Sequence, residues 1–340
     1  MHRVTLVSIL IVAFLFVIVS LLPGGEALGV PIVVKEKAVL NAQTRHIYSL
    51  AISPDSRLLA VGEADGAFSL WDLRLGRYHL GRLHHRTAVQ KIAFSQDGKT
   101  LVTASMDGST GKVFCTLAFW ETKSLAFQRQ LTVEGQLHAV HPESLAATVP
   151  CEKKEKTFVD SDAILLYSLN KGEKLATLDG LQRIAYVAIS PDARQVAALD
   201  REGWINIWDV PLKKEPRSIF SGKGSHSIGF SPDGRTLGVL SGLFFRLHSL
   251  GHSKDRPGNP SVNQPFFSPD GEYLTYPAGL ITLYSAKTAK KLFALKASEP
   301  KWQISPGAFG NVVAISVDGR HVYAGGTHGE IHIWEIPHGR

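Results

Sequence analysis

Acidic residues in short turns are the side chains of this 340-residue chain whose spacing could do chemistry. Asp65 and Asp107 each precede a glycine, and two such carboxylates could act as a general acid and a general base. Asp-Gly dipeptides also form tight hairpin turns, in which glycine supplies a positive φ. Because each dipeptide joins two short apolar runs, we interpret both aspartates as turn residues rather than catalytic groups.

Histidines and cysteines could hold a metal ion if the fold brought them together. Two histidine pairs are close in sequence: His138-x-x-His141 and His328-x-x-x-His332. On strands and turns these spacings do not automatically converge, and Cys115 and Cys151 do not make a zinc set with them. We therefore predict no metal site and no cofactor. Export would permit a disulfide between the two cysteines, and two buried thiols are the alternative.

Residues 184–210 show the elements that must position these side chains. Three short runs of Val, Ile, Ala and Trp are separated by the turn Ser190-Pro191-Asp192 and by a second turn at 200–203. Proline presets φ for a turn, and Ser and Asp can hydrogen-bond their own backbone. The runs are too short and too β-branched for helices, so we predict strands. A unit of three strands cannot bury both faces alone and must pack on copies of itself.

The unit recurs along the chain. Turns with the spacing Ser-x-Asp begin at Ser53, Ser95, Ser190, Ser231, Ser268 and Ser316, and His141-Pro142-Glu143 is a degenerate version. An aromatic-polar pair closes most units: Trp71-Asp72, Trp120-Glu121, Tyr167-Ser168, Trp208-Asp209, Tyr284-Ser285 and Trp334-Glu335, with His248-Ser249 the weakest. The six intervals between the first and last of these tryptophans average about 44 residues, which is the period of four-stranded propeller blades.

These units resemble WD40 repeats, and residues 38–336 resemble a seven-bladed β-propeller. Turn, hairpin and the Trp-Asp pair or its substitute keep the same order in every copy. His46 and His85 are candidates for the histidine of the Gly-His dipeptide that opens such repeats, although no glycine precedes either. The resemblance implies an all-β fold in which the repeated residues are packing residues: Trp71, Asp72, Trp120, Trp208, Asp209 and Trp334.

The resemblance also implies where a partner binds. WD40 propellers bind peptides or domains on the face made by the loops before the first strand of each blade and the hairpins between the second and third strands. Carried onto this sequence, that surface includes His46, Tyr48, Asp65, Arg86, Asp107, Arg183 and Arg201. The implied function is a non-catalytic protein-protein interaction scaffold with an unidentified protein or peptide partner.

The alternative is an envelope-associated enzyme or ligand-binding propeller with a site in the central channel. No phosphate-binding glycine loop, Gly-x-Ser-x-Gly or His-Glu-x-x-His motif occurs. Sialidase-like propellers carry Ser-x-Asp-x-Gly-x-x-Trp boxes, whereas Asp97-Gly98 and Asp233-Gly234 are adjacent here. Carboxylates or histidines gathered at the channel mouth would favour an enzyme, and aromatic residues with arginines would favour binding.

Composition and charge limit the kinds of partner that the propeller could bind. The net charge of +7 could favour an acidic partner or an anionic surface. No Lys/Arg run of the nucleic-acid-binding type occurs, and the charged stretch 151–156 mixes acids with bases. We predict a monomeric propeller with no nucleic-acid role.

The N-terminus predicts export. Residues 4–22 carry no charge and would span about 28 Å as a helix, close to the hydrocarbon thickness of a bilayer. A basic front at Arg3 and small residues before a cut after Ala27 are typical of a signal peptide. A retained signal anchor, a transmembrane helix, is the alternative. Both interpretations of residues 1–27 place the propeller outside the cytoplasm, either membrane-anchored or secreted or periplasmic.

The remaining boundaries follow from counting strands. The last repeat ends three strands into its blade, so we expect residues 38–43 to supply its outer strand after a linker at 28–37. Such closure leaves no open edge in the propeller of residues 38–340. Individual insertions at 111–116, 151–162, 251–260 and 296–307 are candidate binding loops.

Overall fold

The computed structural model describes residues 31–41, 46–154, 157–212, 215–241, 244–250, 267–276, 281–298 and 312–337. Over these ranges the chain is all-β and contains no α-helix. No helix in them could therefore cross a lipid bilayer. The N-terminal hydrophobic helix predicted over residues 1–27 lies outside the described residues, as do the insertion at 251–260 and most of that at 296–307.

The described strands form seven blades of a β-propeller, preceded by β1 (Ile32–Asn41). Blade one contains β2 (Ile47–Ile52), β3 (Leu58–Glu63), β4 (Ala67–Asp72) and β5 (Arg77–Leu83). Blade two contains β6 (Val89–Phe94), β7 (Thr100–Asp107), β8 (Phe114–Glu121) and β9 (Phe127–Glu134). Blade three contains β10 (Gln136–His141), β11 (Leu145–Val149), a separate hairpin of β12 (Cys151–Lys154) and β13 (Thr157–Asp160), and then β14 (Ile164–Ser168) and β15 (Glu173–Leu178).

The second half of the ring repeats this order. Blade four contains β16 (Ile184–Ile189), β17 (Gln195–Asp200), β18 (Trp204–Asp209) and β19 (Arg217–Phe220). Blade five contains β20 (Ser225–Phe230), β21 (Thr236–Ser241) and β22 (Phe244–Ser249). Blade six contains β23 (Tyr273–Tyr276), β24 (Ile281–Ser285) and β25 (Lys291–Lys296), and blade seven contains β26 (Val313–Ile315), β27 (His321–Gly325) and β28 (Glu330–Glu335). Phe267 bridges to Leu274 at the inner edge of blade six.

Burial follows the position of a strand within its blade. Every residue of β11 is buried, whereas β9, the outermost strand of blade two, exposes Phe127 and the three residues after it. Middle strands are covered on both sides by neighbouring blades and are therefore almost continuously apolar. Outermost strands have one side in solvent, which allows polar residues there.

The Ser-x-Asp turns share one set of hydrogen bonds. At the first turn, Ser53 Oγ donates to Asp55 Oδ1 at 2.6 Å, and the Leu58 N–H donates to Ser53 Oγ at 2.9 Å. The Arg57 N–H also donates to Asp55 Oδ1, at 3.1 Å. The same three bonds recur in the turns that begin at Ser95, Ser190, Ser231, Ser268 and Ser316. The serine and aspartate are thus used by the turn itself.

Apolar clusters lie between all neighbouring blades, and the ring they form is closed. Between blades one and two, the rings of Phe68 and Trp120 are 4.8 Å apart. Between blades seven and one, Tyr323 and Ile331 pack in one cluster with Ile47. Burial of each large side chain contributes roughly 1.5–3 kcal/mol relative to exposure, so these interfaces hold the blades together.

The repeated tryptophans are packing residues. Trp71, Trp120, Trp208 and Trp334 are 6%, 3%, 5% and 0% exposed. Trp120 Nε1 donates to Thr103 Oγ1 at 3.0 Å, and that hydroxyl lies 2.7 Å from His85 Nε2. His85, Thr103 and Trp120 therefore form a buried chain of hydrogen bonds in blade two.

Strand β1 closes the ring. Its second half pairs antiparallel with β28, from Glu36 opposite Trp334 to Asn41 opposite Glu330, as the fourth strand of blade seven. Its first half, from Ile32 to Lys35, pairs in parallel with β25. Strand β1 therefore joins blades six and seven into one seven-stranded sheet.

The start of β1 differs from the sequence-based boundary. The strand begins at Ile32, so residues 32–37 are not the linker expected over 28–37. The physical reason is the parallel pairing with β25, together with burial of Val34 in the cluster between blades six and seven. Within the insertion at 151–162, β12 and β13 form a hairpin, and the side chains of Cys115 and Cys151 are buried thiols.

Candidate functional site

One end of the ring, here called the upper face, carries the loops between blades and the hairpins between the second and third strands. The Arg201 N–H, in the hairpin of blade four, donates to the Arg183 carbonyl in the loop before that blade, at 3.2 Å. The His85 N–H donates to the Gly66 carbonyl at 3.2 Å and so links the loop before blade two to the hairpin of blade one. At these two places a loop before a blade and a hairpin lie side by side.

The hairpin aspartates of this face shape their own turns. Asp65 Oδ1 accepts a hydrogen bond from the Ala67 N–H at 2.9 Å, and Asp107 Oδ1 accepts one from the Ser109 N–H at 2.8 Å. Hydrogen bonds from the Ser109 backbone and side chain lower the pKa of Asp107 below its ordinary value, and the positive charge of Arg86 adds to this. Their contacts are those of turn residues.

Most of the residues predicted for the binding face expose their side chains. The exposed ones are His46, Asp65, Arg86, Asp107, Arg183 and Arg201. Tyr48 is half-buried, at an irregularity of β2 between Ile47 and Ser49. The structure brings Arg86 near Asp107 and joins Arg183 to Arg201 through the backbone. Their roles in binding stay predictions.

Two arginines at each end of the ring differ in their partners. The opposite end, here called the lower face, carries the Ser-x-Asp turns. There the guanidinium groups of Arg57 and Arg320 lie 3.8 Å and 3.9 Å from the carboxylates of their own turns. On the upper face, neither Arg183 nor Arg201 forms an ion pair with any residue that the structure describes. The upper face thus presents positive charge that is open to a partner.

Two exposed aromatic residues of the upper face were missed by the sequence analysis. Trp204 is 47% exposed and Phe220 is 53% exposed, and their ring centroids lie 5.0 Å apart. The signal was present, because Trp204 directly follows a hairpin turn, whereas the packing tryptophans end the third strand of their blades. The exposure of Trp204 distinguishes it from the packing tryptophans.

A buried lysine on the innermost strand of blade two contacts the innermost strand of blade three. Lys91 is 5% exposed, and its Nζ donates to the His138 carbonyl at 3.3 Å. Burial lowers the pKa of Lys91 to about 7, and burial together with the Lys91 charge lowers the pKa of His138 to about 3. Among the described residues, no group of three or more His, Cys, Asp and Glu side chains is placed to hold a metal ion.

The two histidine pairs have separate partners. His141 Nε2 lies 3.1 Å from the Pro191 carbonyl oxygen and links the turns of blades three and four. His328 lies on the surface near Glu330, whereas His332 is buried against Glu36. The side chains of His141, His328 and His332 therefore contact other residues of the fold.

Comparisons with known proteins agree with this architecture. The family described as "WD domain, G-beta repeat" matches residues 35–72 and 78–110, which cover most of β1, blade one and the start of blade two. Periodic tryptophan protein 2 of Arabidopsis thaliana is 26% identical over 208 residues, or 59% of this chain and 22% of that protein. The meiosis-specific APC/C activator protein AMA1 of Saccharomyces cerevisiae is 26% identical over 190 residues, or 53% of this chain and 30% of that protein.

A third relative shows the same partial overlap. Eukaryotic translation initiation factor 3 subunit I of Neurospora crassa is 28% identical over 113 residues, which cover 33% of this chain and 28% of that protein. The chain therefore spans less than a third of each of these three relatives. In repeat spacing, in its closed ring of seven blades and in these matches, the chain is similar to WD40-repeat proteins.

Proposed function

We propose that this propeller is a non-catalytic scaffold whose upper face binds a protein or peptide partner. One observation carries the proposal: the repeated turn residues of the lower face are engaged in the fold, whereas side chains of the upper face are exposed and differ from blade to blade. Functional residues are commonly placed on loops that a rigid scaffold positions. Arginine and tryptophan, both exposed here, are also the types enriched at interface hot spots.

The names of two relatives support an assembly role. One is called an activator of the APC/C and another a subunit of a translation initiation factor. Both names describe proteins that act with other proteins. A similar role for this chain is part of the proposal, because the matched region is a minor part of each relative.

We further propose that the propeller acts outside the cytoplasm, exported or tethered by its N-terminal segment. The support is the uncharged run 4–22 behind Arg3. Protease digestion of sealed cells that express the full chain should degrade the propeller, whereas a cytoplasmic marker should survive. Mass spectrometry of the N-terminal peptide would then separate a cleaved signal peptide from a retained anchor. Survival of the propeller until the cells are lysed would contradict the proposal.

Affinity capture tests the scaffold role. The tagged full chain would be compared with two double variants, Arg86→Glu with Arg183→Glu on the upper face and Arg57→Glu with Arg194→Glu on the lower face. All four arginines are exposed, so each variant should fold. We expect quantitative mass spectrometry to find partners that the upper-face variant loses at least tenfold and the lower-face variant keeps. Equal capture by both variants, or no partner together with hydrolytic activity of the pure protein, would overturn the proposal.

A further inference from the structure

We propose that the upper rim of blade four, formed by Arg183, Arg201, Trp204 and Phe220, binds an acidic peptide segment that carries an apolar anchor residue. This inference rests on the proposed scaffold function and deepens it, because it names the place and the chemistry of the partner. These four residues are called the blade-four rim below.

The aromatic half of the rim is a preformed apolar platform. Trp204 begins β18 and lies directly opposite Phe220 at the end of β19. The two rings are inclined by 49°, with centroids 5.0 Å apart, and each is about half exposed. Other described tryptophans, at the ends of third strands, are at most 6% exposed. A half-exposed Trp–Phe pair is therefore a departure from the repeat, and it offers apolar area to a partner side chain.

The charged half of the rim has no internal counterion. Asp200 Oδ1 accepts hydrogen bonds from the backbone of Glu202 and Trp204, at 2.9 Å and 2.8 Å. The carboxylate of Glu202 lies 3.4 Å from Lys223 Nζ. Both carboxylates of this hairpin therefore already have partners, and the Arg201 guanidinium is left without one among the described residues.

The same is true of the loop that carries Arg183. Asp162 Oδ1 accepts a hydrogen bond from the Arg183 backbone N–H at 2.6 Å, and no ion pair joins Asp162 or Asp179 to a described guanidinium. The nearby guanidinium of Arg246 donates to the Ser221 carbonyl. Arg183 and Arg201 are thus the groups of this rim that a carboxylate from outside could pair with.

The backbone fixes the two halves relative to each other. The Ser221 N–H donates to the Gly203 carbonyl at 2.8 Å, which ties the end of β19 to the hairpin that carries Arg201. At Gly203, with φ of +95°, a Cβ atom would lie 2.1 Å from the Gly222 oxygen, so only glycine allows this approach. A rim that is already ordered loses little conformational entropy on binding.

Charge complementarity selects the occupant. Two open guanidinium groups beside an aromatic pair favour a peptide with Asp or Glu next to an aromatic or aliphatic side chain. The net charge of +7 would attract the same kind of partner over longer distances. A basic or uncharged peptide would leave both arginines without partners.

Peptide selection on the purified full chain tests the inference. A phage library of random 12-residue peptides would be selected at low salt, and enriched peptides would be measured by fluorescence anisotropy. We expect enrichment of acidic peptides with one aromatic or aliphatic residue. Affinity should fall at least tenfold in Arg201→Glu and in Trp204→Ala, and should be unchanged in the lower-face control Arg194→Glu. It should also weaken as the salt concentration rises.

Other outcomes would overturn the inference. They are enrichment of basic or uncharged peptides, no enrichment, or acidic peptides whose affinity survives both rim variants. If the chain self-associated and Trp204→Ala abolished that association, the rim would bind a second copy of the chain instead. Failure here stays separate from failure of the scaffold role: a cellular partner lost in the Arg86/Arg183 double variant but kept by Trp204→Ala and Arg201→Glu would refute only the blade-four rim.

Discussion

The two faces of the ring are built from the same strands and yet differ in what their turns do. On the lower face, six Ser-x-Asp turns repeat the same hydrogen bonds, and their polar side chains are engaged in the fold. On the upper face, the hairpins differ from blade to blade, and side chains such as Arg183 and Trp204 are exposed. Repetition in this sequence therefore marks residues of the fold, and departure from the repeat marks candidate binding residues.

Two tryptophans offer the sharpest test of that comparison. Trp120 is repeated and 3% exposed, whereas Trp204 is unrepeated and 47% exposed. Trp120→Ala should lower the free energy of unfolding by about 3–5 kcal/mol, because it opens a cavity between blades one and two. Trp204→Ala should cost about 1 kcal/mol, since it removes only a surface aromatic pair. Urea unfolding measures both, and equal losses would break the comparison.

A substitution that weakens ring closure by β1 should have the next largest effect on stability. Glu36 of β1 and His332 of β28 are 5% and 1% exposed and are hydrogen-bonded to each other. Burial by itself would raise the pKa of Glu36, but hydrogen bonds from Ser298 and His332 outweigh it, so the pKa is lowered. Glu36→Gln should cost about 1.5–3 kcal/mol at neutral pH, because it removes a charged hydrogen-bond acceptor.

The pH dependence of that variant has a defined sign. Because the folded-state pKa of Glu36 is lowered, its stabilisation is complete above the ordinary value of 4.5 and is lost as pH falls through the folded-state value. The stability difference between wild type and Glu36→Gln should therefore shrink in acid. Glu335→Gln is the control: its carboxylate lies 2.8 Å from Lys37 but is 57% exposed, so its cost should be clearly smaller than that of Glu36→Gln. A larger loss in the control would contradict this account of closure.

The buried hydrogen-bond chain of blade two predicts a second pH effect. Burial, with a contribution from His84, lowers the pKa of His85 to about 4, from 6.5. Between about pH 6.5 and 4, His85 is protonated in the unfolded chain but stays neutral in the folded chain. Stability should therefore fall as pH is lowered through this range. His85→Asn should remove this slope and cost about 1–3 kcal/mol at pH 7, as Thr103 and Ser105 lose a partner. Thermal melts across this range, with exposed His79→Asn as control, would show it. An unchanged slope in His85→Asn would contradict the prediction.

The smallest effects should come from single lower-face turns. Asp192 Oδ1 accepts hydrogen bonds from Ser190 Oγ at 2.7 Å and from the Arg194 N–H at 3.0 Å. Asp192→Ala should cost about 0.5–1.5 kcal/mol, and adding Asp233→Ala in blade five should add a similar amount. Arg201→Ala on the upper face should change stability by less than about 0.5 kcal/mol. Chemical denaturation measures these losses. A larger loss of stability in Arg201→Ala than in Asp192→Ala would contradict this prediction.

Features that depend on residues close together in the sequence could be predicted. The Ser-x-Asp turns and the Trp-Asp pairs marked the blades, because each depends on residues a few positions apart. The start of β1 at Ile32 was not predictable, since its pairing with β25 joins segments far apart in sequence. Exposure of Trp204 and burial of Lys91 also escaped prediction, because they depend on which neighbouring blade covers each side chain.

Site-specific photo-crosslinking in cells tests the central claim most directly. A photoreactive residue would be placed at position 183 or 201 on the upper face and at position 57 or 194 on the lower face. We expect one protein to be crosslinked from both upper positions and from neither lower position. Crosslinking to the same protein from the lower positions, or to no protein from the upper ones, would contradict it.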